Sequence, residues 1–401
     1  MRFVKLGNIL SIHKGKKPKF TEITTENSIR VLQIDDLRND NKIQYTDEKT
    51  GVLANEEDLL IAWDGANAGT IGYGKSGYIG STIAILRKKK PNEFSTTFLG
   101  MFLQSQSAFL KGKSTGATIP HIDRKSLENL VIPTIPLDDQ IRIATLLSKV
   151  EALIKQRKES IDLLDEYLKS TFLEMFGDPT RNEKSWNKKA FEDLVAYDCP
   201  LTYGIVQPGE EYPNGIPVIR PVDLTQTFID RNGLKLIDPK ISDKFKRTLL
   251  KGNELLICVR GTTGVISIAT KKLVGCNVTR GITPIWFSEN YDRYFAFHLL
   301  QTTAIKRNIQ ELTYGATLKQ INLCDLRKIQ LINPPLHLQT FFGEIATKVF
   351  EIKAQYQSNL AELNNLYGSL NQRAFKGKLN LEKSEEMLMA VETVEGYCKQ
   401  K

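Results

Sequence analysis

GATIPHIDRKSLENLVIPTIPLDDQIRIATLLSKV, residues 116–150, returns 199 positions later as GATLKQINLCDLRKIQLINPPLHLQTFFGEIATKV, residues 315–349. At that single offset Ile122 meets Ile321, Leu127 meets Leu326, Pro136-Leu137 meets Pro335-Leu336, Gln140 meets Gln339 and Lys149-Val150 meets Lys348-Val349. From Gly116 to Phe176 there are 14 identities in 61 ungapped positions, where ordinary composition gives roughly 4. A repeat of about this length is a duplicated domain and not a solenoid. Upstream the match continues loosely: Arg30–Leu37 resembles Pro217–Leu224, and Leu59-Leu60-Ile61 resembles Leu255-Leu256-Ile257, each ahead of a glycine-rich stretch.

The conserved end of each copy has helical periodicity. Positions 143, 147, 150, 154, 157, 161, 164, 168, 171 and 175 follow a 4-3 spacing and are apolar apart from Arg157 and Thr171. The matching seam runs Ala346, Val349, Lys353, Tyr356, Leu360, Leu363, Tyr367, Leu370 and Ala374. Sustained heptads without Pro, and with Gly368 the one glycine within the two seams, predict a long helix with a coiled-coil seam. Pro136 and Pro335 sit just ahead of these helices, and Gly177-Asp178-Pro179 stops the first. One such stripe is ordinarily an amphipathic helix packed on its own domain. Two matched helices of about 40 residues, ~60 Å each, favour an antiparallel pairing with each other.

The divergent parts read as mixed α/β. VLQIDDL, DLLIAWDG, STIAILRK, IPVIRPVDL, ELLICVRG and GITPIWF are predicted strands, several running into glycine turns. SEEMLMAVETV near the C-terminus reads as a short amphipathic helix, a docking element or a solvated tail. The layout expected is 1–136, a helix over 137–177, a second domain over 178–335, a second helix over 336–377, and a tail over 378–401. The fold class is α/β (α+β), duplicated and pseudo-two-fold.

Composition narrows the partners. The 401 residues are 41% hydrophobic and 25% charged, which excludes a disordered, collagen-like or purely coiled-coil chain. A net charge of +9 and a pI near 9.1 lean towards a polyanion. The start MRFVKLGNIL is too short and mixed for a signal peptide, and no apolar run approaches the ~18 residues of a membrane span. Five cysteines without a CxxC pair predict reduced thiols and a cytoplasmic protein. His13, His121, His298 and His337 make no metal-ligand spacing, so no metal is expected.

Among catalytic motifs, Asn333-Pro334-Pro335-Leu336 approaches the adenine-N6 methyltransferase signature, in which an aromatic follows the prolines. Here Leu stands at the fourth place, no FxGxG-type turn precedes it, and the other copy has Thr134-Ile135-Pro136-Leu137. It therefore reads as the proline-rich start of a helix. No HExxH occurs. The turns Gly65–Gly69 and Gly261–Gly264, with Asn67, Thr262, Thr263 and Arg260, are strand-to-strand turns or contacts to a phosphate or base edge. Basic, hydroxyl-bearing segments recur in both copies: Lys14, Lys16, Lys17 and Lys19; Arg87–Lys90; Lys111, Lys113, Ser114, Thr115, Thr118 and His121; Tyr203 and Gln207; Arg220; Arg280; Lys306-Arg307; Tyr314, Thr317, Lys319 and Gln320. Each alone is a solvated loop, whereas recurrence in both copies points to DNA, with Lys and Arg on phosphates and Arg, Gln, Asn and Thr on base edges.

IPTIPLDDQIRIATLLSKVEALI, running to KSTFLEMFGDP, resembles the specificity subunit of type I restriction-modification systems, and NPPLHLQTFFGEIATKVFEI, ending in LNQRAFKGKL, resembles that family's second helical region. TYGIVQPG resembles a family target-recognition opening, while His337-Leu338 departs from the acidic residue usual near Gln339. The resemblance implies two target recognition domains, each reading half of a split double-stranded DNA site, held apart by an antiparallel helical spacer. It implies two methylation subunits that bind S-adenosylmethionine, two restriction subunits using ATP and Mg, and no catalysis, cofactor or membrane for this chain. The expected DNA contacts are Lys14, Lys16, Lys17, Asn67, Lys111, Lys113, Thr115, Thr118 and His121 in the first copy. In the second they are Tyr203, Gln207, Arg220, Arg260, Thr262, Arg280, Tyr314, Thr317 and Lys319. The alternatives are a stand-alone DNA methyltransferase or nuclease centred on Asn333-Pro334-Pro335, and a coiled-coil scaffold without DNA contact.

Overall fold

The computed structural model describes residues 2–116, 119–315, 319–384 and 386. The chain divides into two compact units, Met1–Lys158 with Ser358–Lys401, and Glu159–Gln357. Two helices of 40 residues, Leu137–Phe176 and Leu336–Phe375, each begin in one unit and end in the other.

In the first unit a four-stranded antiparallel sheet has the order Leu10–Lys14, Ile83–Lys88, Leu59–Ala62, Ile71–Tyr73. Its centre, Leu59-Leu60-Ile61-Ala62, is buried on both faces, which is why that strand reads as a continuous apolar run. A second sheet has the order Gln44–Thr46, Ile29–Leu32, Gly77–Ile79, Leu53–Ala54, with Ile29–Leu32 parallel to Gly77–Ile79. The strand Arg2–Lys5 pairs antiparallel with Val131–Thr134 just ahead of the long helix.

The second unit repeats this plan in reduced form. Leu255–Cys258 lies between Ile266–Ile268 and Ile282–Ile285, Ile216–Ile219 runs parallel to Asn277–Val278, and Lys188–Ala190 pairs with Gln330–Ile332. The strand matching Leu10–Lys14 has shrunk to a single bridge, Val195 to Phe287.

Two of the predicted strands end early. VLQIDDL is strand only to Leu32, and Asp35–Leu37 is a 3-10 turn, because Asp36 accepts hydrogen bonds from the Gln33 amide and the Arg30 guanidinium, both at 2.6 Å. IPVIRPVDL stops at Ile219, where Pro221–Asp223 turns and Asp223 accepts from the Arg220 amide at 2.7 Å. A carboxylate that captures backbone N–H groups competes with the sheet ladder. The expected helix SEEMLMAVETV lies, apart from Ser384 and Glu386, outside the described residues.

The long helices pair antiparallel within each unit. In the first, Ile143, Leu147 and Val150 from the start of one helix share a core with Leu370, Ala374 and Phe375 from the end of the other. In the second, Leu168, Phe172 and Phe176 from the end of the first helix meet Phe342, Ala346 and Val349 from the start of the second. Each copy's short helix thus packs on the end of the other copy's long helix: Phe98 of Thr96–Ser105 lies 5.2 Å from Phe375, and its counterpart Phe295 of Arg293–Gln301 lies 4.7 Å from Phe176. The polar seam residue Lys353 is met by Asp165 at 2.5 Å, and Tyr367 donates to Glu151 at 2.5 Å.

Matched glutamines hold the helix starts. Gln140, fully buried, accepts from the Ser95 amide and donates to the carbonyls of Ile135 and Glu93. Gln339, equally buried, accepts from the Asp292 amide and donates to Pro334. Buried amides that satisfy both ends in this way fix register. Among the described residues no helix is long and apolar enough to cross a membrane, and no His, Cys, Asp and Glu cluster is placed to hold a metal ion.

Candidate nucleic-acid interface

In each unit the central buried strand leaves the sheet in a glycine turn that is gripped by the loop ahead of the long helix. In the first unit, Trp63 and Asp64 direct their amides at the Thr82 carbonyl, Gly65 donates to Pro120 at 2.9 Å, and Ile122 donates to Trp63 at 3.0 Å. Asp64 therefore faces His121 in an antiparallel bridge, and His121 faces Thr115 in another. In the second unit, Val259 and Arg260 direct their amides at Gly281, Gly261 donates to Lys319 at 2.8 Å, and Ile321 donates to Val259 at 3.0 Å. Arg260 faces Gln320, and Gln320 faces Tyr314. Each of these main-chain bonds in one tip has its counterpart in the other. Gly65 and Gly261 hold φ of +96° and +94° with open space where a Cβ would stand, so the left-handed backbone and not crowding calls for glycine.

Residues facing across a pair not directly hydrogen-bonded to each other bring their side chains closest. In the first unit that places His121 Nδ1 2.6 Å from Asp64 Oδ1. Lys14 lies 3.6 Å from the other carboxylate oxygen and 5.2 Å from the centre of the Trp63 ring. Because a carboxylate only accepts, His121 donates from Nδ1 and leaves Nε2 for a further partner. Asn67, in the same turn, accepts from Arg38 at 2.8 Å, and Arg38 also reaches Thr70. The helix Ser107–Gly112, carrying Lys111, is tied to this turn by Ser107 donating to Gly69 at 2.7 Å, and Lys113 follows at its end, exposed.

The second tip is open where the first is closed. Arg260 has a buried Nε with no partner, and neither its guanidinium nor the Gln320 amide is hydrogen-bonded among the described residues. A buried donor left unmade costs about 1–3 kcal/mol. Arg280, exposed, sits beside this tip: its amide bonds to Ile205, within two residues of Tyr203 and Gln207. Tyr314 donates to Asn322 at 3.1 Å, and Thr262 closes its own turn against Cys258 Sγ.

The structure thus brings Lys14, Asn67, Lys111, Thr115 and His121 to one tip, and Arg260, Arg280, Tyr314 and Lys319 to the other. Lys16 and Lys17 are exposed in the loop beyond Leu10–Lys14. Arg220 is committed to Asp223 through a two-toothed pairing at 2.9 and 3.1 Å, which raises its pKa. Thr118 and Thr317 lie outside the described residues. Sequence reasoning missed Asp64 and Arg38. Continuing the match of Leu59–Ile61 to Leu255–Ile257 by three residues sets Asp64 opposite Arg260, the signal that was available.

A family model described as "Type I restriction modification DNA specificity domain" matches residues 1–163 and again 183–364. The chain belongs to this family. Members similar to it include the specificity subunit of the type I restriction enzyme MjaVIII from Methanocaldococcus jannaschii, 25% identical over 370 residues that cover 85% of this chain and 84% of that protein. Another is the EcoBI specificity subunit from Escherichia coli, 23% identical over 410 residues covering 94% of this chain and 85% of the relative. The fold is shared with the crystal structure of a type I restriction-modification S subunit from M. genitalium, at a TM-score of 0.60 and 16% identity over 93% of this chain and 96% of that one. Family membership makes DNA recognition within a type I restriction-modification system the function of this chain.

Proposed function

We propose that each unit reads one half of a split DNA site and that the chemistry belongs to partner subunits. The observation that carries this reading is the pair of tips: one backbone arrangement, built twice, presenting different polar side chains. A duplicated scaffold with divergent tips suits a bipartite site whose halves differ in sequence. Phosphate contacts fall to Lys16, Lys17, Lys111, Lys113 and Lys319, and base contacts to residues at the tips. Two methylation subunits, binding S-adenosylmethionine, would modify adenines, and two restriction subunits, using ATP and Mg, would cleave.

The reading of Asn333-Pro334-Pro335 as catalytic finds no support. Pro334 accepts from buried Gln339 at 2.7 Å, Asn333 Oδ1 accepts from the same amide at 3.4 Å, and Leu336 opens the long helix. The test is direct. Purified protein with S-adenosylmethionine and duplex DNA is expected to transfer no methyl groups, and adding the methylation subunit is expected to give methylation at one bipartite sequence. Methylation by the chain alone would establish an enzyme; a complex without sequence preference would establish a scaffold.

A further inference from the structure

We infer that residues 64 and 121 in the first unit and 260 and 320 in the second are equivalent base-reading positions of opposite hydrogen-bonding sense. This rests on the two-reader function proposed above and adds which base chemistry each tip selects. The equivalence is set by backbone alone: Asp64 and Arg260 follow the same central strand, His121 and Gln320 face them in the same bridge, and both glycine turns are closed by the same amide-to-carbonyl bonds.

The side chains then divide the four bases between them. Arg260 presents donors only, in a planar fork, and its Nε has no partner among the described residues. Paired acceptors matching that fork occur on guanine, O6 and N7, in the major groove. Gln320 opposite it has no side-chain partner and extends the same edge with an amide that donates and accepts.

Asp64 is the reverse case. Its carboxylate accepts only, and in the major groove a lone acceptor is matched by the amino groups of cytosine and adenine. A bare carboxylate would be repelled by DNA, but Lys14 at 3.6 Å and His121 at 2.6 Å flank it on both oxygens. The flanking groups hold the acid in place, and the Lys14 ammonium offsets its charge. The first tip therefore selects a base with an exposed amino group and disfavours guanine paired through O6 and N7.

The test uses the chain assembled with its methylation subunit and sequencing of the methylated sites from a randomised library. Arg260→Ala is expected to relax guanine selection at one position of the second half-site by roughly 5- to 150-fold, with the first half-site unchanged. Arg260→Lys, which keeps charge but not the fork, is expected to relax the same position. The double exchange Asp64→Arg with His121→Gln transplants the second tip into the first and is expected to create guanine preference at one position of the first half-site. Thermal melting of each variant, together with an unchanged opposite half-site, reports folding. If Arg260→Ala weakens all sequences equally, or if the exchange leaves the first half-site as it was, the assignment is overturned while the two-reader function stands. Wild-type complex without any bipartite preference would instead overturn the function on which the assignment rests.

Discussion

The two tips hold their backbones alike and their side chains differently. In the first, Asp64, His121 and Lys14 satisfy one another within 3.6 Å; in the second, Arg260 and Gln320 have no side-chain partners among the described residues. The backbone grip, from Gly65 to Pro120 and from Gly261 to Lys319, uses only main-chain groups. A turn closed by its own amides keeps its shape whatever side chains it carries, so side chains at this place are free to diverge after duplication. The cores beneath show the opposite behaviour: Phe98 matches Phe295 and Phe375 matches Phe176, each fully or almost fully buried. Packing constrains volume and shape in a way that an exposed turn does not.

The comparison is broken most completely by exchanging residues 1–136 for those of a relative. One half-site is expected to be replaced outright and the other kept, as read by methylation mapping; a change in both would mean the units do not read separately. Next in size is the spacer. Inserting one heptad into each long helix keeps every seam residue on its face and adds ~10 Å, about three base pairs at 3.4 Å each. Rotation of about 100° at ~10.5 base pairs per turn lowers activity. The surviving methylation is expected at a gap about three base pairs longer than that of the wild-type complex. An active insertion mutant with the original gap would show that these helices do not set the spacing.

A smaller effect separates the two cores. Met101 of the first unit corresponds to His298 of the second, which is half-buried against Phe350 and Phe342, with its Nε2 buried and unpartnered. Burial lowers the His298 pKa from 6.5 to about 4. The native state holds it neutral while the unfolded chain binds a proton below about 6.5, so its full stability is present above that value and is lost as pH falls towards 4. The loss is about 3 kcal/mol. His298→Leu is expected to flatten the pH dependence of denaturation between pH 6.5 and 4, whereas Met101→Leu leaves the slope unchanged. An identical slope in wild type and His298→Leu would place the titration elsewhere. Smallest are the exposed lysines: Lys16→Ala or Lys113→Ala is expected to weaken binding to every sequence and reduce the salt slope by about 0.9 each. A sequence-selective loss would make either residue a base contact.

Much of the architecture was legible from residues alone. Helical spacing at Ile143–Met175 and Ala346–Ala374 is a local, periodic property, and the 199-residue repeat survives where buried seams and the Gln140 and Gln339 anchors restrict substitution. The strand ends at Leu32 and Ile219 were not legible, because Asp36 and Asp223 win backbone amides that a strand pattern assigns to the ladder. Nor was Asp64, an ordinary acidic residue after a strand until its neighbours are known.

By itself the sequence determined the duplication, the two long helices, the buried central strands and the family, since each rests on periodicity or on matched residues along the chain. Only the tertiary structure decided that each unit combines the start of one long helix with the end of the other, and that residue 64 meets 121 and residue 260 meets 320. The physical reason is range. Those partners are 57 and 60 positions apart, and their meeting depends on the register with which a turn and a distant loop exchange main-chain hydrogen bonds. No pattern within either segment encodes that register; the folded sheet and the packed helix starts impose it.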